Sequence, residues 1–494
     1  MIVKNLTGKP DTDSRNTSLF GVVHPATHEA VHQVERSSRE SFSKALQICH
    51  DALPSWSAQP LAERCSIFEK AASLLQDGST DWKSRLAEAN MKETSVTSWW
   101  TNEQLDGVPL FIRELTRAAH EVLVPEVMNA DKSTVHIERL PFGVCLAIAA
   151  WNAVHLLTAR AIITPLIAGN TVILKTSEHT PYTQTLWAEL LYESGLPREC
   201  LTVVHVAAED APSLVPLLVA DKRVRHVNFT GSTNVGSILA GLAGKHLKPS
   251  LMELGGKAPV LLLPSADFRI AASHILFGTF MNAGQLCMST ERVLVPRSRY
   301  DDLVAALRDA WASVKQKEPR ALFSSVSTCR VRNLIKDAIA RGAEPLTGPW
   351  KEDIGNLVTP IILGSGTAEM KIFREESFGP VSIVIPIEDD GLTNEQVTDH
   401  MVALANDSDY GLTASVWSTD LQLAQDVARR LECGAVHINS PTAGDLPSVP
   451  HGGWKSSGWG RFNGAEGIRS FTQIRTIETE KGPGHTLPLD IFEL

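Results

Sequence analysis

The chain has 494 residues, enough for two or three domains of ordinary size with cores that need no disulfide or metal. Hydrophobic residues make up 43% and charged residues 21%, and the net charge of −10 comes with no basic run, which excludes a typical nucleic-acid-binding surface. The polar N-terminus lacks the apolar core of a signal peptide and no apolar run has the length of a membrane span, so we expect a cytoplasmic protein that contacts neither nucleic acid nor membrane.

The first 121 residues predict a layer of helices. Apolar residues recur at helical spacing in three stretches, residues 39–75 (interrupted at Pro54 and Pro60), 81–99 and 104–122. The polar segment that follows, PEVMNADKSTVHIER, predicts a β-hairpin that interrupts this first part of the chain. The C-terminal segment TQIRTIETE is expected to pair with the hairpin or with another subunit.

From Pro141 onward, strands alternate with helices. Buried strands are predicted for VCLAIAAW, NTVILK, LTVVHVA and RVRHVNF, and amphipathic or apolar helices for the segments between them. Repeated βα units of this kind predict a doubly wound parallel sheet with helices on both faces. The alternation resumes after Glu253, which predicts a second α/β domain.

These patterns divide the chain into three parts. We expect a discontinuous doubly wound domain of residues 1–121 and 140–253, and a second α/β domain of residues 254–469. A small β arm is expected from residues 122–139 together with residues 470–494.

The first of three short motifs is Phe229-Thr230-Gly231-Ser232-Thr233-Asn234-Val235-Gly236, which follows a predicted strand and opens a helix. Small residues in such a turn let a pyrophosphate approach the backbone N–H groups at the helix N-terminus. Thr233 occupies the place of the middle glycine of the usual dinucleotide fingerprint. A turn that needs glycines only for its geometry is therefore an equal alternative.

The second motif is Glu253-Leu254-Gly255-Gly256-Lys257, also just past a predicted strand. A carboxylate at a strand end beside two glycines is suited to act as a general base over a bound substrate. Taken alone, the pentapeptide favours a surface glutamate before a Gly–Gly turn.

The third motif is Gly284-Gln285-Leu286-Cys287-Met288, in the loop after a long apolar helix. A thiolate in such a loop is a candidate nucleophile, whereas most single intracellular cysteines are small buried hydrophobic residues. The chain has seven cysteines and no CxxC pair, which indicates reduced thiols. No metal site is expected.

Together the motifs resemble those of the aldehyde dehydrogenase superfamily, and the resemblance spans nearly the whole chain. The resemblance rests on the order in which the motifs occur along the chain. In chain order they are Trp151-Asn152, GNTVILK with Glu178, FTGSTNVG, ELGGK, GQLC, Glu376-Ser377-Phe378-Gly379-Pro380, and His451-Gly452-Gly453-Trp454-Lys455-Ser456-Ser457-Gly458.

The resemblance implies catalytic roles for three residues. Cys287 would be the nucleophile and Glu253 the general base for hydrolysis, while the Asn152 side chain and the Cys287 backbone N–H would form an oxyanion hole. The thiolate would add to an aldehyde, and hydride expulsion would leave a thioester. Fixed donors of this kind contribute about 3–4 kcal/mol each to the stability of the developing alkoxide in other enzymes.

The resemblance also implies NAD as cofactor. Lys175 and Glu178 would bind the adenosine ribose and Glu376 the nicotinamide ribose, with Phe378 against the nicotinamide. Because a carboxylate at Glu178 would repel a 2′-phosphate, NAD is favoured over NADP. The other implied contacts are Trp151, Gly231, Ser232, Gly236 and Leu254.

Within the family, two stretches are most similar to the salicylaldehyde and vanillin dehydrogenases. They are Trp151-Asn152-Ala153 followed by Arg160-Ala161-Ile162, and residues 285–292 (QLCMSTER) with Gly460-Arg461-Phe462 and Gly467-Ile468 downstream. Ala153 stands where many members carry a bulky aromatic residue, which would widen the substrate tunnel. His451 replaces the phenylalanine of the usual Pro-Phe-Gly-Gly. Two positions are open for its titratable ring: the mouth of the substrate tunnel, which that aromatic residue commonly lines in the family, or the protein surface. Trp99 and Trp100 are expected in the core rather than as a substrate platform. The predicted substrate pocket comprises Ala153, Arg160, Leu286, Met288 and His451.

The sequence therefore predicts an NAD-dependent dehydrogenase that oxidises an aromatic or bulky aldehyde, assembled as a homodimer or homotetramer. Two alternatives remain. A CoA-acylating semialdehyde dehydrogenase would resolve the thioester with CoA, but such relatives typically lack the base that Glu253 represents. A catalytically idle member would serve as a binding protein, but such proteins usually lose the cysteine, the glutamate or the cofactor loop.

Overall fold

The structure, a computed structural model, describes residues 1–7, 18–315, 318–482 and 484. Parts of the predicted arm, residues 483 and 485–494, and residues 8–17 of the predicted first domain lie outside the described residues. The strands are β1 Ile2–Val3, β2 Leu19–Val23, β3 Ala30–Glu35, β4 Glu126–Asn129, β5 Ser133–Pro141, β6 Val144–Ile148, β7 Thr171–Lys175, β8 Leu201–Val204, β9 Val224–Thr230, β10 Ser250–Glu253, β11 Ala258–Leu262, β12 Thr290–Pro296, β13 Arg320–Ala321, β14 Glu344–Pro345, β15 Leu357–Val358, β16 Ile361–Gly364, β17 Val381–Ile387, β18 Tyr410–Gly411, β19 Thr413–Trp417, β20 Ala435–Ile438, β21 Trp454–Lys455, β22 Gly458–Trp459 and β23 Thr472–Glu480.

Helices lie between most of these strands. They are α1 Arg39–Ser57, α2 Leu61–Gln76, α3 Trp82–Thr94, α4 Ser98–Val122, α5 Val154–Ile167, α6 Pro181–Glu193, α7 Ala211–Ala220, α8 Thr233–Lys245, α9 Phe268–Phe280, α10 Tyr300–Ala312, α11 Ser325–Ala340, α12 Lys371–Arg374, α13 Asn394–Asn406, α14 Leu421–Ala428 and α15 Gly464–Arg469.

A six-stranded sheet in the order β22-β10-β9-β6-β7-β8 forms the first α/β unit, and all its pairs except β22–β10 are parallel. Its central strand β6 is buried on both faces. Val144 and Leu146 belong to one apolar cluster, and the alternate residues Cys145 and Ala147 belong to another on the opposite face. This double burial explains why the strand reads as a continuous apolar run.

A seven-stranded sheet in the order β14-β16-β17-β12-β11-β19-β20 forms the second α/β unit, parallel throughout except for β14. Its strands also divide their residues between two clusters, with Leu261 and Leu294 on one face and Val260 and Val293 on the other. The predicted fold class, a doubly wound α/β domain with a second α/β domain and a small β arm, is confirmed.

The helical layer differs from the prediction in its breaks. The predicted gap between residues 99 and 104 is wrong, because α4 runs through it and the break falls at residues 95–97. Ser95 adopts a left-handed conformation (φ 59°) that ends α3, and the Thr97 hydroxyl accepts the Trp100 N–H at 3.2 Å, which caps α4. The predicted break at Pro54 is wrong, because α1 continues through it to Ser57, and the chain leaves the helix only at residues 58–60, before α2.

The predicted hairpin is present as the antiparallel strands β4 and β5, and β23 pairs with β5 along nine residues of the same chain. The C-terminal segment therefore completes this small sheet without a second subunit. Strand β22 extends the six-stranded sheet, so the chain returns to the first unit near its end. The residue ranges of the three domains, and a homodimer or homotetramer built through the arm, stay predictions.

Candidate active site

The carboxyl ends of the parallel strands in the six-stranded sheet meet at one edge, where open α/β sheets bind ligands. Glu253 is the last residue of β10 and Thr230 the last of β9, and Asn152 follows β6 in the turn before α5. The loop between α9 and β12 brings Cys287 to the same edge. The structure thus assembles the three predicted catalytic residues, Cys287, Glu253 and Asn152, in one place.

Backbone conformation explains the residues that flank Cys287. Asn282, Ala283 and Gly284 all have positive φ (49°, 56° and 69°), which turns the chain sharply before the cysteine. A Cβ on Gly284 would lie 2.0 Å from the Gly379 carbonyl oxygen, so no other residue fits at this position without a backbone shift. The glycine of GQLC is therefore required by the loop.

The second glycine of ELGGK is required by a close approach of two segments. A Cβ on Gly256 would lie 2.2 Å from the carbonyl oxygen of Cys287. The Gly–Gly turn lets the segment after Glu253 cross directly against the cysteine loop. The alternative in which Glu253 is a surface residue is wrong, because its side chain is buried, with 1% exposure.

Asn152 is held from both ends. Its backbone carbonyl accepts the Trp100 Nε1–H at 3.1 Å and the Asn282 Nδ2–H at 3.0 Å. Its side-chain amide donates to the Gln285 carbonyl at 2.9 Å, which leaves one of its two N–H groups for a ligand. The amide is thus fixed beside the cysteine loop, as an oxyanion-hole donor requires.

The Glu253 carboxylate lies between the thiol and an imidazole. Its Oε1 is 3.9 Å from Cys287 Sγ and 3.2 Å from His451 Nε2. Its Oε2 is buried and has no hydrogen-bond partner among the residues that the structure describes, and Arg160 Nη1 lies 4.0 Å from it.

Behind Glu253 lies a network that sequence reasoning did not find. Asp445 pairs with Arg160 Nη2, and its Oδ1 is 3.9 Å from His451 Nδ1 and accepts the Asn463 Nδ2–H at 2.8 Å. Arg160 also donates from Nε to Asn463 Oδ1 at 3.0 Å. No local motif signals Asp445 or Asn463, since Arg160, the partner that both share, lies 285 and 303 residues earlier in the chain.

The charges in this network determine which groups are ionised. Burial opposes ionisation of Glu253, but the positive charges of His451 and Arg160 outweigh it and lower the pKa of Glu253. Burial also disfavours a charged His451, yet Asp445 and Glu253 together raise its pKa. The pKa of Asp445 is lowered to about 2, because Arg160 and His451 outweigh its burial. The network thus holds two carboxylates against two cations.

The pKa of the Cys287 thiol shifts upward, whereas that of the neighbouring Glu253 shifts downward. Burial, with added repulsion from Glu253 and Glu376, raises the pKa of the Cys287 thiol well above its usual value. The resting site therefore favours the thiol, and its proton must be removed before the sulfur acts as a nucleophile.

A cavity of about 350 Å³ opens over Cys287. Beside it lies a second cavity of about 610 Å³ that shares Trp151, Phe323 and Ser324 with the first and reaches Glu178. The two form an extended cleft. The predicted residues that line the first cavity are Trp151, Asn152, Gly231, Ser232, Glu253, Leu254, Cys287, Glu376 and Phe378.

The cleft presents groups suited to a dinucleotide along its length. At one end the Lys175 ammonium lies 3.4 Å from the Glu178 carboxylate. Midway along the cleft, Ser232 caps the N-terminus of α8, where backbone N–H groups and the helix dipole favour a phosphate. At the other end Glu376 accepts the Gly256 N–H at 2.9 Å, and burial raises its pKa to about 7. These residues fit a bound nicotinamide dinucleotide.

A buried ion pair shapes the loop that carries Glu376 and Phe378. Lys257 Nζ lies 2.6 Å from Glu291 Oε2, and Glu291 Oε1 accepts the backbone N–H groups of Ser377 at 2.9 Å and Phe378 at 3.3 Å. Phe378 itself has a positive φ of 50°. Residues outside the cavity thus hold this loop in its strained conformation.

Several predicted residues lie away from the cavity wall. Lys175 and Gly236 are buried behind it, and Leu286 is buried in the cysteine loop. Two interpretations are wrong. His451 does not face the surface, since it is only 5% exposed, and Trp99 is not a core residue, since it is 51% exposed. Ala153 and Met288 are half-buried next to Asn152 and Cys287 in the chain.

Residues 1–7, 18–315, 318–482 and 484 contain neither a helix able to span a membrane nor a cluster of metal-ligating side chains. No helix in these ranges is both long and apolar enough to cross a bilayer. Their His, Cys, Asp and Glu side chains form no group of three that is able to hold a metal ion.

Comparison with known proteins decides the family. The model of the Aldehyde dehydrogenase family matches residues 12–477, which is nearly the whole chain. The chain belongs to this family. The predicted resemblance is thereby confirmed, and with it the activity class of an aldehyde dehydrogenase.

Relatives of this aldehyde dehydrogenase differ in substrate and cofactor. It is 37% identical to a vanillin dehydrogenase of Pseudomonas sp. strain HR199, over 97% of this chain and 98% of that protein. A salicylaldehyde dehydrogenase from Pseudomonas putida G7, solved in complex with salicylaldehyde, superposes with a TM-score of 0.91 at 31% identity, over 98% and 99% of the chains. An NADP-dependent glyceraldehyde-3-phosphate dehydrogenase from Bacillus halodurans C-125 superposes with a TM-score of 0.88 at 28% identity, over 97% and 99%.

Proposed function

We propose that this aldehyde dehydrogenase oxidises aromatic aldehydes to carboxylic acids with NAD, through a thioester on Cys287 that water hydrolyses. The observation that carries this proposal is the placement of Glu253 Oε1 3.9 Å from the Cys287 sulfur, at the floor of the cleft. A nucleophile and a base within reach of one another are the parts that hydrolytic release of an acid requires.

In the proposed reaction, the Cys287 thiol first loses its proton to solvent, and the resulting thiolate adds to the carbonyl carbon of the aldehyde. The free N–H of the Asn152 amide and the Cys287 backbone N–H stabilise the resulting alkoxide. When bound, NAD supplies the acceptor for the hydride that leaves this carbon. Glu253 then removes a proton from a water molecule, the water oxygen attacks the thioester carbon, and the C–S bond breaks with its electrons returning to sulfur.

The same geometry disfavours the two alternatives. A CoA-acylating enzyme has no need of a buried base beside the thioester, whereas here Glu253 is buried and kept ionised. An idle family member is free to lose its nucleophile, base or cofactor cleft, and this chain retains Cys287, Glu253 and a lined cleft.

The proposal of NAD rests on Glu178. Although burial opposes its ionisation, Lys175 and His179 lower the pKa of Glu178, so the cleft carries a carboxylate at neutral pH. A carboxylate accepts hydrogen bonds from ribose hydroxyls and repels a 2′-phosphate. Because one structural relative is NADP-dependent, the preference of this chain for NAD over NADP is tested directly by substitution of Glu178.

Glu178→Gln is expected to raise kcat/KM for NADP relative to NAD by about tenfold, because it removes one unit of repulsion near the 2′-position. Steady-state kinetics with both cofactors measure the ratio. The matched control is Glu193→Gln, an exposed glutamate at the end of α6, which should leave the ratio unchanged. A wild type that already prefers NADP would contradict the proposal.

The proposal of an aromatic substrate rests on the small residue at the start of α5 and on the relatives. Ala153 is half-buried beside Asn152. An open apolar groove of about 1010 Å³ also runs along α9 and contains Trp99 and Met281. The residues next to these two, Trp100 and Asn282, both donate to the Asn152 carbonyl, so the groove approaches the catalytic loop.

Ala153→Phe is expected to lower kcat/KM for benzaldehyde and hydroxybenzaldehydes by about tenfold or more, because the added ring overfills the space beside Asn152. Acetaldehyde serves as the internal control and should lose little. The wild type should prefer hydroxybenzaldehydes and benzaldehyde to acetaldehyde and long aliphatic aldehydes. If acetaldehyde is the best wild-type substrate, the proposed aromatic specificity is wrong.

A further inference from the structure

A histidine lies against the base where the family usually has an apolar phenylalanine. His451 Nε2 is 3.2 Å from Glu253 Oε1, and both side chains are almost fully buried. The ring is fixed by its backbone as well, since the His451 N–H and carbonyl exchange hydrogen bonds with Phe462. The imidazole is therefore a fixed hydrogen-bond partner of Glu253, and its Nε2 is not available to a substrate.

The two carboxylates that face this ring support a cation there, and they outweigh the opposing charge of Arg160. Glu253 lies at Nε2, and Asp445 lies 3.9 Å from Nδ1 on the other side. Arg160 contacts both carboxylates, so it compensates one of the two negative charges. His437 is also nearby, but burial lowers its pKa, and it is neutral beside His451. A proton on His451 balances the remaining negative charge.

The position of this cation bears on the base function of Glu253. An isolated carboxylate with 1% exposure and one unpaired oxygen would take up a proton, because burial disfavours its charged form. A protonated Glu253 has no capacity to accept a proton from water. One cation at 4.0 Å, Arg160, is already shared with Asp445.

We propose that His451 is a positioning residue for the hydrolytic step, which orients Glu253 through Oε1 and supplies the positive charge that keeps it a carboxylate beside the thioester. The inference rests on the proposed function, in which Glu253 activates the water that releases the acid. His451 touches neither the thioester nor the water and acts only through Glu253.

An ester assay isolates this step without NAD or an aldehyde. With p-nitrophenyl acetate, the Cys287 thiol loses its proton to solvent, the sulfur forms a bond to the acetyl carbon, and p-nitrophenolate leaves with the electron pair of the broken C–O bond. Water then attacks the acetyl carbon, its proton passes to Glu253, and the C–S bond breaks to release acetate. The initial burst of p-nitrophenolate counts competent sites, and the later steady rate reports deacylation.

The expected result is a shift in the pH dependence of deacylation. In the wild type the rate falls only as the pH drops through the lowered pKa of Glu253. In His451→Phe the midpoint should move up by about one unit or more, which lowers the rate at a pH below the new midpoint by about tenfold. The rate should recover at high pH, and the burst should remain near one per site.

His451→Gln is the conservative variant, since it keeps an N–H donor for Glu253 but carries no charge. Its midpoint should lie between those of the wild type and His451→Phe. An unchanged midpoint in both variants, with or without a smaller burst, would show a merely structural role and overturn the inference. If His451→Phe fails to fold, an unshifted midpoint in His451→Gln is sufficient to overturn it.

Glu253→Gln separates this inference from the proposed function. If its deacylation rate matches that of the wild type at every pH, Glu253 is not the base and the proposed hydrolytic step fails. If Glu253→Gln loses the pH-dependent deacylation while His451→Phe keeps the wild-type midpoint, only the inference about His451 fails. Cys287→Ala should show no burst, which assigns the acetyl group to this thiol.

Discussion

Replacing Cys287 by alanine or serine is expected to reduce aldehyde oxidation by about a thousandfold or more while leaving NAD affinity nearly unchanged. The sulfur is the atom that forms the covalent intermediate, and neither replacement forms a thioester. The groups that fit the cofactor, from Glu178 to Glu376, do not depend on the sulfur. Initial rates of NADH formation and calorimetric titration with NAD measure the two effects.

A matched control for this substitution is Cys329→Ser, because Cys329 is exposed on α11 and is not among the residues that line the cleft. It should keep wild-type activity and NAD affinity. Turnover of Cys287→Ala within tenfold of the wild type would rule out a covalent role for this cysteine. Loss of NAD binding together with activity would indicate that the variant has disturbed the loop and not only the chemistry.

Glu253→Gln is expected to slow steady turnover by about 10²- to 10⁴-fold, the usual contribution of a general base, while sparing the first NADH formed. The amide is the same size as the carboxyl group but does not accept a proton from water, so the thioester accumulates. A stopped-flow trace should show a burst near one NADH per site, followed by slow release of the acid.

The exposed neighbour of Glu376, Glu375, offers the control Glu375→Gln, which should behave as the wild type. Disappearance of the burst in Glu253→Gln together with the steady rate would assign Glu253 to a different step. It would then be the group that takes the proton of the Cys287 thiol, whose raised pKa makes such a step necessary.

Local sequence determined the fold class and the positions of the site motifs. The buried strands of a parallel sheet are short apolar runs in the sequence, and helical stretches alternate with them. This alternation by itself predicts the doubly wound architecture. Gly256 and Gly284 stand in recognisable motifs of the sequence. The contacts that require them, with the carbonyl oxygens of Cys287 and Gly379, belong to the tertiary structure.

Only the tertiary structure determines which charged side chains surround Glu253 and therefore which groups of the site are ionised. Arg160 lies on α5, whereas Asp445 and His451 both lie in the loop between β20 and β21. They meet at Glu253 because the two sheets and their connections pack against one edge. No periodicity or motif encodes such a contact. The sequence left His451 open between a substrate contact and a surface position, whereas packing turns its Nε2 toward the buried carboxylate of Glu253. Burial makes that contact consequential, since an ion pair removed from water controls ionisation far more strongly than the same pair on a surface.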